Sequence, residues 1–517
     1  MPNFAGRAHG FRLREVVSPE GVKHYGPLPE SFGGRSLKGA TKGREGKDSQ
    51  CGKSQPKSPS SLHGRPSPTF WKPLGGFKGI VTPGRVELQG VVMRQSSKVS
   101  LWGIHALTGG EKVPKPKVEC VLSVDSGPHR RSWCPARAEV EAPEGVGELR
   151  GAEAVMLDAK GREHRPIPCD VWGDPWEQAP GRVGLVFLLP SLEPGESLDI
   201  LVRLYEEPLE GRADVEVVER DHKFEVEVLG APFFSYNFEP GQVRPFIWPL
   251  LGPEGKEMTR PPERPPEFPK GEWDHPHHKS VWVAHGDVNG VDFWSEEEGH
   301  GRCITVEAEG HGGNAAGWII SHNEWRDAND NLILLEHEVI TIYATPEPCR
   351  LFDIRVHFKA PERSVVFGDT KEAGVISFRV NPKLEVRRGN GIITNSFGGV
   401  NEADCWGRRA HWCDYSGVLE GVRVGLSCFD HPRNPRHPTY WHVRDYGLMT
   451  ANIFGVGDFE GEERRGEGEL VLPRGKEIRF LYRVYVHAGL PHEADVAGKY
   501  IDFACPPKVR VKEVRVV

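Results

Sequence analysis

The 517-residue chain reads as an all-β protein, and three observations carry that reading. Glycine (61) and proline (44) are abundant, as a turn-rich chain requires. Apolar residues recur at every second position in segment after segment, the period of a strand with one face inward. Long stretches of 3.6-residue periodicity are nearly absent, so few helices are expected. The fold class expected is a small immunoglobulin-like β-sandwich followed by a large antiparallel β-supersandwich.

Taken in order, residues 1–80 are basic, with fourteen Lys/Arg against five Asp/Glu, and rich in Gly, Ser and Pro. Such a segment cannot bury a core and is expected to be disordered, either an anion-binding tail or, preferably, a dispensable extension. Residues 81–116 read as a linker. Within it Met93 opens a weak signal-like run, MRQSSKVSLWGIHALTGG. A true start there implies export; otherwise the chain reads as cytoplasmic. Residues 117–208 form the small sandwich, with VECVLSVD, LVFLLP and SLDILVRLY as strands and EAPEGVGE and LEPGE as turns. The loop Gly173–Arg182 defaults to a surface loop.

Residues 212–505 form the large domain. Its strands include FEVEV, GRCITVEAEG, GWIISHNEW, LILLEHEVITIY and EIRFLYRVYVH. In RLFDIRVHFK, Phe352, Ile354, Val356 and Phe358 face one way, and Asp353, Arg355, His357 and Lys359 the other, the pattern of a half-buried strand. Residues 506–517 are a basic tail able to add an edge strand.

The body beyond residue 80 carries a net charge of −16, which argues against a nucleic-acid surface. No run of about eighteen apolar residues exists to span a membrane. The ten cysteines are scattered without a CxxC pair, which excludes zinc-ribbon and thioredoxin-like readings; Cys405 and Cys413 either pair or stay as buried thiols.

The densest chemistry lies in WDHPHHKSVWVAHGDVNGVDFW, which gathers His275, His277, His278 and His285 with Asp274, Asp287, Asn289, Asp292, Trp273, Trp282 and Trp294. Histidines titrate near neutrality, and indoles stack on sugar rings. A second constellation is Trp406, Arg408, Trp412 and Asp414, expected to share a strand face at period two. A third is the proline-rich stretch from Asp430 to Tyr446, expected to be a rigid loop carrying His431, Asn434, His437 and His442 beside Trp441 and Arg444. Two lesser pairings set a carboxylate beside a histidine: Glu336 and Glu338 with His337, and the turn Asp369–Glu372. Neither an H-x-H…E…H set nor an H-E-x-x-H motif occurs, so no metal or other cofactor is expected.

With RPFIWPLLGPEGKEMTR, DHPHHKSVWVAHGDVNGVDFW, NEADCWGRRAHWCDYSG and DHPRNPRHPTYWHVRDYGLMTANIFG in view, the chain resembles the bacterial PmoA-like family, labelled "methane oxygenase PmoA", over roughly Val217–Gly489. A membrane methane oxygenase needs apolar helices that this chain lacks. The resemblance instead implies a supersandwich similar to the galactose-mutarotase-like proteins, which hold carbohydrate on a concave sheet face. The expected partner is therefore a small-molecule or oligosaccharide ligand, and the oligomeric state is left open. The expected function is metal-independent glycoside processing (hydrolase, lyase or epimerase), with His277, His278, His285 and Glu336 as acid/base groups. Trp282, Trp412 and Trp441 are expected to stack on substrate, with Arg408, Asn434 and Arg444 binding hydroxyls or a carboxylate. Non-catalytic glycan binding is the first alternative and a metal-dependent oxygenase the second.

Overall fold

The computed structural model describes residues 114–172, 180–209, 211, 213–266 and 268–517. The readings for residues 1–80, for the Met93 segment and for most of the Gly173–Arg182 loop fall outside them. Among the described residues the chain is built of antiparallel sheets with a few short helices. No helix there is long and apolar enough to cross a membrane.

The small sandwich pairs a five-stranded sheet with a three-stranded one. The strand Val118–Asp125 alternates strictly, burying Val118, Cys120, Leu122 and Val124 against Leu185, Phe187 and Leu189 of Arg182–Leu192. Its other edge is taken by Lys508–Val516 from the far end of the chain, in register from Val118↔Val516 to Asp125↔Lys508.

The large unit is two facing sheets. One has nine strands, in spatial order Arg408–Arg409, Tyr440–Val443, Leu448–Asn452, Ala373–Arg379, Val281–His285, Phe246–Leu250, Ala231–Asn237, Lys223–Val228 and Val215–Arg220. The other has eight, from Arg302–His311 through Leu332–Tyr343, Arg350–Lys359 and Glu477–Ala488 to Ile392–Asn395. Their inner faces share one apolar core, in which Phe234 of one sheet meets Phe352 of the other at 5.2 Å.

The strand Arg350–Lys359 corrects the half-buried expectation. Phe352, Ile354, Val356 and Phe358 do enter the core, but Asp353, Arg355 and His357 on the opposite face are buried too. The small sandwich and the helix Val496–Ala504 cover that face. Asp353 pairs with Arg483 at 2.6 Å and accepts from Tyr343 at 2.7 Å, while Arg137 of the small sandwich donates to Tyr343 at 3.1 Å. The charges are buried because each has a partner.

The Glu336/Glu338–His337 pairing is also corrected. The two glutamates point into the space between the sheets, whereas His337 lies on the opposite face beside His322 and His357. Period-two geometry separates sequence neighbours by a whole sheet.

Candidate functional site

The outer face of the nine-stranded sheet carries a row of polar side chains on directly opposed positions. His442 faces Thr450, Thr450 faces Ser377, and Ser377 faces Trp282. His442 Nε2, Thr450 Oγ1, Ser377 Oγ and Trp282 Nε1 are all buried without a hydrogen-bond partner in the protein. Buried polar groups normally find a partner, so this row keeps hydrogen-bonding capacity for a ligand or water. Three inter-strand spacings put the ends of this seam roughly 14 Å apart. Gly374 makes the close approach possible: a Cβ there would lie 2.2 Å from Thr450 Cγ2 and 2.5 Å from Ser377 Oγ.

The turn before Val281–His285 roofs one end. His278 stacks on Trp282 (5.2 Å, 24°), His275 on His278 (4.8 Å, 9°) and Tyr446 on His275 (4.9 Å, 9°), forming a four-ring column. His277 packs edge-on to His278 at 4.7 Å, and Trp294 meets His278 at 5.6 Å. Trp294 Nε1 is another buried donor without a partner. Three buried arginines hold this turn. Arg260 donates to the carbonyls of Asp274 (2.8 Å) and His275 (2.7 Å), and Arg244 donates to that of His277 (3.1 Å). Arg379 bonds the carboxylates of Asp274 and Glu385 and lies 3.1 Å from His278 Nδ1. Burial opposes charge on Asp274, but the nearby His275 and Arg379 outweigh it and hold the carboxyl well below its usual range. His275 (φ 43°) and Ser280 (φ 69°) adopt left-handed backbone in this tight turn.

Two tautomers follow from partner chemistry. Arginine can only donate, so His278 Nδ1 accepts from Arg379 and its free Nε2 carries the proton. A carbonyl can only accept, so His442 Nδ1 donates to Lys371 O at 2.8 Å. His442 Nε2 is then the bare lone pair of a neutral ring, because burial pushes this imidazole down to about 4. Burial, with Arg244 nearby, likewise takes His277 to about 4, and His278 lies well below its usual range. The seam therefore offers indole and imidazole N–H donors at one end, two hydroxyls between, and an acceptor nitrogen at the other. Half-exposed His275, Tyr446, Glu372 and Arg444 lie along its solvent side, with Arg444 paired to Glu402 at 2.9 Å.

Of the residues singled out in the sequence, His275, His277, His278, Trp282, Trp294, His442 and Arg444 meet here. Trp406 lies at the His442 end, where its ring and that of His442 both pack against Phe459. His285 does not join them: it points into the core between Phe367 and Phe454, accepts from Asp287 N through Nδ1 at 3.0 Å, and is driven to about 3 by burial. Asp287 and Asn289 brace the following turn, accepting from Gly290 N at 2.9 Å and Val366 N at 2.8 Å. Glu336 is interior, held by Asn323 (2.8 Å) and Trp325 (2.7 Å).

The face expected to unite Trp406, Arg408, Trp412 and Asp414 is broken. A short helix ends at Cys405, Gly407 takes φ 64°, Arg408 joins the nine-stranded sheet, and Trp412 and Asp414 belong to the eight-stranded one. Asp414 is buried with Ser427 and His487. Nor is the third stretch wholly irregular: Tyr440–Val443 is a strand, and Trp441 is buried in the core, donating to Ala410 O at 3.0 Å. Asn434 and His437 gather around Asp430 at the rim of the other sheet, while His431 accepts from Arg433 N and packs on Phe503. Among the described residues no cluster of three or more His, Cys, Asp or Glu side chains is placed to hold a metal ion.

The model of a family of unknown function, DUF6807, matches residues 223–501. The chain belongs to that family. The DUF6807 description carries no methane-oxygenase label, so the PmoA-like name read from the sequence is not the one this match supplies. No curated protein matches. Two solved structures from Enterococcus faecalis are similar at 10% identity. One is a protein in glycosyl hydrolase family 38, with TM-score 0.38, covering 76% of this chain and 47% of that one. The other is an alpha-mannosidase from strain V583, with TM-score 0.37, covering 77% and 46%. The chain spans about half the length of each.

Within this DUF6807 domain, sequence reasoning passed over Ser377, Thr450 and Arg379. Ser377 and Arg379 sit in AGVISFR, a strand buried on both faces with no alternation to mark them. Thr450 sits in LMTAN, equally buried.

Proposed function

We propose that this chain is a metal-independent, carbohydrate-active enzyme, a hydrolase, lyase or epimerase, whose acid/base groups are histidines of the seam. The supporting observation is the row of partnerless buried donors and acceptors under a column of aromatic rings. A sugar presents hydroxyls that both donate and accept, and C–H faces that stack on rings. In this reading His442 Nε2 accepts a proton from the substrate, His278 Nε2–H and the indoles of Trp282 and Trp294 donate to its oxygens, and His277 relays protons at the rim. The resemblance read from the sequence points to the same ligand class.

Non-catalytic glycan binding is the second reading. It is favoured by one fact: Asp274, the carboxylate nearest the ring column, is committed to Arg260, Arg379 and Arg387. The discriminating experiment takes the full chain, with and without chelator, over a panel of glycosides and keto-glycosides, alongside His277→Ala and His442→Gln. Turnover that survives chelation and is lost in both variants supports the enzyme. Binding without turnover across the panel rejects it in favour of the second reading, and loss under chelation rejects the metal-independent mechanism.

A further inference from the structure

A second histidine system lies away from the seam, at the rim of the eight-stranded sheet. Asp430 is fully buried and accepts three hydrogen bonds: from Asn434 Nδ2 at 2.7 Å, His437 Nδ1 at 2.7 Å and Thr439 N at 2.8 Å. A carboxylate so bound fixes the proton of His437 on Nδ1 and leaves Nε2 as an acceptor. His437 Nε2 lies 3.2 Å from His411 Nδ1, so His411 donates there and its own Nε2 is left with the lone pair. That nitrogen belongs to a partly exposed ring.

The surroundings are aromatic and rigid. His411 lies 5.3 Å from Phe397 and 5.4 Å from Tyr500 between ring centroids. Phe397 is 66% exposed, which leaves a large apolar side chain open to solvent. Its backbone is nonetheless fixed, because Asn395 Oδ1 accepts from both Phe397 N and Gly399 N at 3.0 Å, and Ser396 Oγ accepts from His411 N at 2.9 Å. An exposed aromatic held in place beside an oriented acceptor is a preorganised contact that loses little entropy on binding.

We infer that Phe397 and His411 form a second carbohydrate-binding site, in which a pyranose ring lays its C–H face on Phe397 and donates a hydroxyl proton to a hydrogen bond with His411 Nε2. Asp430 and His437 are positioning residues that set the tautomer. The site stands independently of the seam and of the chemistry proposed there.

The test uses the full chain with 15N-labelled histidine. NMR at pH 7.5 reports the tautomer of His411, and titration with methyl β-glucopyranoside and methyl α-mannopyranoside reports binding. The expected result is the Nδ1–H tautomer, with His411 resonances moved by at least one glycoside. Phe397→Ala and His411→Gln each weaken that response roughly five- to tenfold, the scale of one lost ring contact. Ser377→Val, in the seam, leaves it unchanged. An Nε2–H tautomer, silence of His411 toward both glycosides, or full response in Phe397→Ala each overturns the site.

Discussion

Replacing Glu338 with glutamine should make the protein more stable at alkaline pH and leave it nearly unchanged at acid pH. Glu336 and Glu338 both point between the sheets, where burial drives both carboxyls upward, Glu336 to about 7. Their folded forms bind protons more tightly than the unfolded chain, where the ordinary value is 4.5. The pair is therefore no burden below about pH 4.5, and it destabilises progressively as pH rises through and beyond neutrality. Even the rise of Glu336 alone corresponds to about 3 kcal/mol at high pH, and that of Glu338 is larger. Glutamine keeps the shape and can still accept from Tyr236, which donates to Glu338 at 3.1 Å. Urea unfolding at pH 5, 7 and 9 should show wild type and variant within about 1 kcal/mol at pH 5, and the variant ahead by at least about 3 kcal/mol at pH 9. Carboxylates that titrate elsewhere act alike in both proteins and cancel in the difference. Parallel stability–pH curves for the two proteins would refute the argument.

Three further outcomes follow from the same geometry. Ser377→Ala removes a buried hydroxyl without a partner, so urea unfolding should show no loss and a gain of up to about 1 kcal/mol, while calorimetry shows weaker glycoside binding. Arg379→Met removes one cation from Asp274 and Glu385, which keep Arg260, Arg387 and Arg388, and frees His278 Nδ1. It should cost about 1–3 kcal/mol in urea unfolding and let the His278 proton redistribute, seen by 15N NMR. Asp170 of the small sandwich accepts from the backbone N–H of Asn314, Ala315 and Ala316 at 3.0, 2.6 and 3.0 Å. Asp170→Ala leaves three donors without an acceptor and should lower stability by about 3–5 kcal/mol.

The all-β class was legible because alternation is a local signal: Val118–Asp125 buries the face its sequence marks, and Arg350–Lys359 shows its strand period even though its polar face is covered too. The site was legible only in part. His275, His277, His278 and Trp282 stand close in sequence and on one turn and strand, so counting found them. His285 satisfied the same count, yet the stretch turns it to the other side of the sheet, into the core. The seam itself could not be read, because Ser377, Thr450 and His442 come from three strands whose pairing is set by long-range register. Nothing local in AGVISFR or LMTAN distinguishes a hydroxyl of the candidate seam from one packed in the core between the sheets.

The strand Lys508–Val516, paired along its whole length with Val118–Asp125, has a consequence for how the molecule is made. The first strand to leave the ribosome among the described residues must wait for the last of them to complete its sheet. Until then its backbone edge is an open template for any extended neighbour. Nonsense or frameshift products ending after the large unit would thus combine a nearly finished body with an unguarded edge, and aggregation during synthesis rather than loss of chemistry would be their first defect.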